Sequence, residues 1–256
     1  MTLRITVIGR SPAWQDANGA CSGYLVESGE TKVLVDCGNG VFGKLRGQLD
    51  HREINAVVIS HPHGDHILDL FPFAYALIYG PPRTAGKPIL YMPPGGMEVL
   101  RTIAGSFDKE TLIEDAFDTI EYVPDEGVTV GDIAIEMAEV PHFTRAYAMA
   151  ISTSAQAKFV YGADCGVSDA LVALARGADV LMVEATLPAG LPADPQAESG
   201  HLTPVQAGQI AHDAGVGRLV LTHASDVLDL EGSRQAAAAV FAGPVEMSAQ
   251  GSSWDL

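Results

Sequence analysis

The chain has 256 residues, 47% of them apolar, and a formal net charge of −17. That length fills a core for one large domain or two small ones, and no apolar run reaches the ~20 residues of a membrane-spanning helix. So acidic a surface offers no basic stripe to a polyanionic backbone. It does not forbid a small anionic substrate, because salt screens charge beyond about 8 Å.

Leu3–Gly9 reads as a first strand and lacks the basic and apolar regions of a signal peptide. The three cysteines are widely spaced with no CxxC pair, which fits reduced thiols. A cytoplasmic protein is expected. After an irregular stretch over 14–19, residues 23–27 and 32–35 form a hairpin pattern around Ser28-Gly29-Glu30-Thr31. A turn over 36–40 leads to helical spacing over 41–49 and a strand over 54–60. A helix follows His66 to about Tyr79, with Pro72 a local irregularity. A strand over 89–92 and a helix over 97–104 come next, whereas 106–118 gives no clear pattern.

Strands are then predicted over 119–123, 128–130 and 133–140, with a hairpin over 146–152 and 158–162. From there helices alternate with strands: Ser168 caps a helix over 170–175, and 180–184 is a buried strand. Residues 188–200 form a Pro- and Gly-bearing loop. Thr203-Pro204-Val205-Gln206 is a capping box with Pro at the first helical position, and Gly215 ends that helix. A strand over 218–222, a helix over 233–241 and a strand over 245–248 close the chain. The pattern suits two packed sheets with helices outside, an α/β fold in a single domain over 1–256.

The chemistry concentrates in Val57–His66. An apolar run ends in His61, Pro62, His63, Gly64, Asp65 and His66. His61 and His63 are two apart and point the same way in extended chain. Gly64 lets the backbone turn, so that Asp65 and His66 aim at a second point close by. One loop can thus feed two adjacent cations. His142, Asp164 and His223 each follow a predicted strand, and strand ends in layered folds converge on one edge. His51 and His212 lie elsewhere and read as packing or surface residues.

His61-Pro62-His63-Gly64-Asp65-His66 resembles the HxHxDH signature of the metallo-β-lactamase superfamily. Tyr161-Gly162-Ala163-Asp164, Val183-Glu184-Ala185-Thr186, Gly200-His201-Leu202-Thr203 and Leu221-Thr222-His223 resemble, in order, later motifs of its ribonuclease Z-like branch. The resemblance implies a four-layer αββα sandwich with a dinuclear metal site at one sheet edge. It implies His61, His63 and His142 on one ion, Asp65, His66 and His223 on the other, and Asp164 between them. Imidazole and carboxylate suit Zn²⁺, and Mn²⁺ or Fe as well. Cys165 stands where threonine is usual and Ala163 where glycine is common; neither change removes a ligand.

Two such cations sharpen a water into a nucleophile, which Asp65 would aim. His201 would protonate the leaving group or stabilise the transition state, with Glu184 orienting it. Arg145 is a candidate for a substrate phosphate, and Asp36 for support of the ligands. Only about twenty residues separate His142 from Asp164, too few for the arm with which ribonuclease Z grips tRNA. The expectation is a metal-dependent phosphodiesterase acting on a small diester such as a cyclic nucleotide. A tRNA 3′-processing endonuclease, a lactone, thioester or ester hydrolase, and a non-catalytic scaffold are the alternatives. No membrane partner and no polymeric nucleic acid are expected; a homodimer, common in the resembled branch, is compatible.

Overall fold

A computed structural model describes residues 2–155, 157–191 and 200–256. The first half contributes β1 (Leu3–Gly9), β2 (Gly23–Ser28), β3 (Thr31–Val35), β4 (Ala56–Val58), β5 (Ile89–Met92) and β6 (Asp118–Glu121). The second contributes β7 (Val128–Val130), β8 (Ile133–Val140), β9 (Ala146–Ser152), β10 (Lys158–Tyr161), β11 (Val180–Glu184), β12 (Leu219–Thr222) and β13 (Val245–Met247). A last strand, β14 (Ser253–Asp255), returns to the first sheet and pairs antiparallel with β1. The two seven-stranded sheets run β14-β1-β2-β3-β4-β5-β6 and β13-β12-β11-β10-β9-β8-β7. Each is antiparallel at one end and parallel at the other. This is the expected four-layer αββα sandwich.

The period-2 alternation of the strands builds the layers. Tyr24, Val26, Val33 and Val35 point to the middle and meet Ile133, Ile135, Met149, Ile151 and Phe159 of the other sheet. The alternate residues Leu25, Leu34 and Val57 face α1 (Val41–Arg46), α3 (Leu70–Tyr79), α4 (Gly96–Gly105) and α5 (Leu112–Ala116). Val160, Leu181, Val183 and Leu221 face α6 (Asp169–Ala175), α7 (Pro204–Ala214) and α8 (Leu230–Ala238) in the same way.

Several boundaries differ from the sequence pattern. The helix read over 41–49 ends at Arg46, with Gly47 as its C-cap. The strand read over 54–60 narrows to β4, so the chain has left the ladder before His61. The helix read after His66 is two helices, α2 (Gly64–Ile67) and α3. Asp69 breaks it: its N–H donates to the Cys37 carbonyl at 3.0 Å, and its carboxylate accepts the Phe42 N–H at 2.8 Å. Pro72 is then the third residue of α3, where an N–H has no intrahelical partner to lose. The last helix starts earlier than expected, because the Asp229 carboxylate caps it from Gly232 N–H. α5 occupies the stretch 106–118 that gave no pattern. The capping box at Thr203 and Gln206 and the left-handed Gly215 are as predicted. The loop expected over 188–200 lies for the most part outside the described residues.

Candidate metal centre

Every candidate ligand sits just past the carboxyl end of a strand or in the loop that a strand launches. His61 and His63 follow β4, and Asp65 and His66 occupy the first turn of α2. His142 follows β8, Asp164 follows β10, and His223 follows β12. Asp36 and Glu184 stand at the ends of β3 and β11. Two of these positions, Asp36 at φ 59° and His223 at φ 51°, take left-handed backbone on residues other than glycine, and so does Ala163, next to Asp164, at φ 54°. Such conformations persist where the surroundings impose them, and they gather at functional sites.

The seven side chains converge from both sheets. One ligand atom each from His61, His63 and His142 lies within 4.8 Å of the others, and so does one each from Asp65, His66, Asp164 and His223. Asp164 Oδ2 joins the two groups. It is 3.3 Å from His223 Nε2, 3.4 Å from His66 Nε2, 3.8 Å from His61 Nε2 and 4.0 Å from His142 Nε2. Asp65 Oδ2 is 3.1 Å from His223 Nε2 and 3.5 Å from His66 Nε2.

The surrounding hydrogen bonds fix which imidazole nitrogen faces inward. The Ser60 hydroxyl donates to Asp36 Oδ2 at 2.8 Å, so it accepts from His61 Nδ1–H at 3.1 Å. His66 Nδ1–H donates to Asp36 Oδ2 at 2.8 Å, and His142 Nδ1–H to the Gly200 carbonyl at 2.7 Å. The Thr186 hydroxyl donates to the His223 carbonyl at 3.0 Å and so accepts from His223 Nδ1–H at 2.9 Å. Each of these four rings therefore turns its Nε2 to the centre. His63 offers Nδ1 instead, 3.2 Å from His61 Nε2 and 3.1 Å from His142 Nε2. Such outer partners set ring orientation and raise ligand basicity at metal sites.

This arrangement fits divalent cations. Three imidazole lone pairs facing one another repel unless something positive sits between them. Buried His66 Nε2 and Asp164 Oδ1 make no hydrogen bond among the described residues, a cost that coordination removes. Burial, reinforced by the charge of His66, holds His61 well below the ordinary imidazole pKa, and burial also lowers His63 and His142. All three are thus kept neutral, the form that binds metal. For Asp164 burial favours the neutral acid, but His223 and His66 outweigh it and keep the carboxylate ionised.

His201 stands beside this cluster, ahead of α7. Its ligand nitrogen lies within 4.8 Å of one atom each of His142 and Asp164. Glu184 Oε1 holds His201 Nδ1 at 2.8 Å. Burial works against a charged His201, but the hydrogen bond and charge of Glu184 prevail and raise its pKa. Glu184 is itself fully buried and accepts backbone N–H groups from Cys165 at 2.8 Å and Leu202 at 3.1 Å. The Cys165 thiol is buried, and burial with the charges of Glu184 and Asp164 pushes its pKa well above the ordinary range, so it stays neutral. Arg145 is apart from the group: its side chain is mostly exposed, its Nε is 3.8 Å from Glu139 Oε1, and it does not line the cleft.

Two supports were under-read in the sequence. Asp36 accepts from Ser60 N–H, Ser60 hydroxyl, His66 and Tyr161 hydroxyl, all within 2.9 Å. Its place directly after a strand, shared with His223, is the signal that marks it. Thr186, inside a motif already noted, holds His223. His51 is buried against Phe42 and Phe73, and His212 is exposed, as expected of residues outside the site.

A cleft of about 420 Å³ opens over the cluster, with Asp65, Asp164, His201 and His223 on its floor and Trp14, Val227 and Leu228 among its walls. No helix among the described residues is long and apolar enough to cross a membrane.

A family model described as "Beta-lactamase superfamily domain" matches residues 31–224. A probable metallo-hydrolase of Bacillus subtilis (strain 168), YhfI, is 34% identical over 99% of this chain and 100% of its own length. The crystal structure of YhfI, a metallo-beta-lactamase fold protein, is similar with a TM-score of 0.89 and 31% identity, over 100% of both chains. The short form of human tRNase Z shares the fold, with a TM-score of 0.76 at 22% identity over 98% of both chains.

Proposed function

Because the chain belongs to the beta-lactamase superfamily and is a metallo-hydrolase of it, we propose that it hydrolyses a small phosphodiester, with a cyclic nucleotide as the leading substrate class. His61, His63 and His142 would hold one divalent ion and Asp65, His66 and His223 a second, with Asp164 between them. Zn²⁺ suits this donor set best. A pair of ions there would supply an acidified water and offset the charge of the phosphate.

The residues of the chain do the remaining work. Asp65 accepts a hydrogen bond from the attacking water and aims it. His201, whose protonated form is favoured by the hydrogen bond and charge of Glu184, gives its Nε2 proton to the departing alkoxide. Glu184 fixes the ring at Nδ1 and stabilises the imidazolium. The observation that carries the reading is His201, held by the buried Glu184 carboxylate beside the cluster of histidines and aspartates. A phosphodiester needs its alkoxide protonated and its dianionic transition state stabilised.

A tRNA 3′-processing role is the second reading, favoured by the likeness in fold to tRNase Z. Against it, β9 and β10 fill the interval from His142 to Asp164, and the chain is strongly acidic, whereas a nucleic-acid backbone needs cations to neutralise its phosphates. The test is a panel on protein of defined metal content: 3′,5′-cyclic AMP, bis(p-nitrophenyl) phosphate, lactones, a thioester and a tRNA precursor. Cleavage of the small diesters is expected. Cleavage of a carbonyl ester or of the tRNA precursor with no small diester turned over would overturn the proposal.

A further inference from the structure

Among the described residues lining the cleft there is no lysine or arginine. Any ions held by the histidines and aspartates, and His201 when protonated, would therefore supply its positive charge, all of it on the floor beside the cluster. The wall above them is apolar: Pro12, Ala13 and Trp14 from one loop, Val227 and Leu228 from another. Trp14 is 56% exposed and Val227 75% exposed, so burial in the core does not explain either. Isolated exposed apolar residues are ordinary, but these two belong to one cleft and stand on loops that are fastened together.

The fastening is specific. Arg10 donates to the Ala224 carbonyl at 2.5 Å and pairs with Asp16 at 2.9 Å. Asp16 Oδ1 accepts the Asp226 N–H at 3.0 Å, and the Asp16 N–H donates to Ser11 Oγ at 3.0 Å. The Arg10 and Asp16 side chains are only 15% and 8% exposed, where an ion pair resists salt better than at the surface. The loop bearing Trp14 is thus stapled to the segment that follows His223, which keeps the Trp14 and Val227 positions on the same cleft.

We propose that Trp14 and Val227 form a binding wall for a flat heteroaromatic ring carried by the substrate, so that the cleft selects a single phosphodiester bearing a nucleobase-like group, with Arg10 and Asp16 as positioning residues. The assignment rests on the phosphodiesterase reading above and deepens it. Indole faces stack on any nucleobase without reading its edge. A cavity of about 420 Å³ lies in the range of small-molecule sites, about 300–1,000 Å³. A second phosphate would meet no cation on this wall, which argues against polyphosphates and nucleic-acid strands.

Thymidine 5′-(p-nitrophenyl) phosphate and methyl p-nitrophenyl phosphate share a leaving group and differ in the nucleoside. The ratio of their kcat/KM values reads the wall alone. It should favour the nucleoside in the parent protein and fall about tenfold to a hundredfold in Trp14→Ala, the worth of one stacked base. Trp14→Phe should recover most of it. Asp16→Ala should lower the same ratio through KM rather than kcat. A direct measurement uses Trp254→Phe, which leaves Trp14 as the one tryptophan: AMP should quench its fluorescence and inorganic phosphate should not. Equal use of both diesters, or a ratio unmoved by Trp14→Ala, overturns the wall while leaving the phosphodiesterase reading intact. Quenching by AMP with neither diester hydrolysed upholds the wall and overturns that reading. Absence of quenching overturns the wall.

Discussion

Glu184 Oε1 lies 2.8 Å from His201 Nδ1, and the same oxygen takes the Cys165 N–H at 2.8 Å. One buried carboxylate therefore aims the candidate acid and ties the loop of Asp164 to it. A group that must be protonated to act loses its effect as pH rises through its pKa, and Glu184 raises that pKa in His201. In Glu184→Gln the alkaline limb of the kcat/KM profile should retreat to lower pH, with metal content near that of the parent. The buried oxygen facing Leu202 and Thr186 would be lost or replaced by a donor, so stability should also fall by about 1–3 kcal/mol. A pH profile alongside denaturant unfolding checks both.

His201→Ala and Asp164→Ala should part company. The first should retain metal and lose about 10²–10⁴-fold in kcat, the usual worth of a positioned acid. The second removes the carboxylate that faces four imidazole nitrogens and should fail to retain stoichiometric metal after dialysis. Elemental analysis next to single-turnover rates separates the two outcomes; equal metal loss in both would count against a proton-transfer role for His201.

Asp36→Ala leaves the Ser60 hydroxyl, His66 Nδ1–H and Tyr161 hydroxyl without their shared acceptor in fully buried surroundings. Unfolding free energy should drop by about 3 kcal/mol or more. Metal affinity should weaken about 10–100-fold, because His66 and Ser60 lose the partner that orients them. Thermal unfolding with and without added Zn²⁺ reads the first effect, and competition with a chromogenic chelator the second.

Gly38 is fixed by close approach rather than by its backbone angles. A Cβ there would lie 1.8 Å from the Asp65 carbonyl oxygen. Gly38→Ala should push α2 away from the turn after β3, displacing Asp65 and His66 together. The expected result is a folded protein with reduced metal occupancy and at least tenfold lower kcat, since displacements of about 1 Å cost about 10²-fold in such sites. Far-UV circular dichroism with metal analysis distinguishes this from global unfolding.

Much of the fold and the candidate site was legible because strand alternation and ligand spacing are local signals. The His61–His66 burst, and strands ending at His142, Asp164 and His223, need no long-range information to be noticed. What stayed hidden depends on contacts distant in sequence. β14 is three residues long, and its pairing with β1 is visible only once the chain ends meet. The break at Asp69 is decided by the Cys37 and Phe42 backbones, not by the helical pattern. Asp36 read as a turn residue because its partners lie up to 125 positions away. Trp14 sat in an irregular stretch with no periodicity, and only its place in the lining of the cleft shows that it borders the cluster. Ala163 is the reverse case: its positive φ gives the physical reason why glycine is common there in the resembled branch.

The cluster joins the two sheets at a seam, with Asp65 and His223 in contact across 158 positions of chain. Ions gripping both sides would work as a removable rivet closing a very long loop. The sheets must dock before the rivet can set, so it should leave the speed of assembly nearly unchanged and lengthen the lifetime of the assembled state instead. For this protein, scarcity of metal would then be felt first as faster turnover of the folded chain, before any failure to fold.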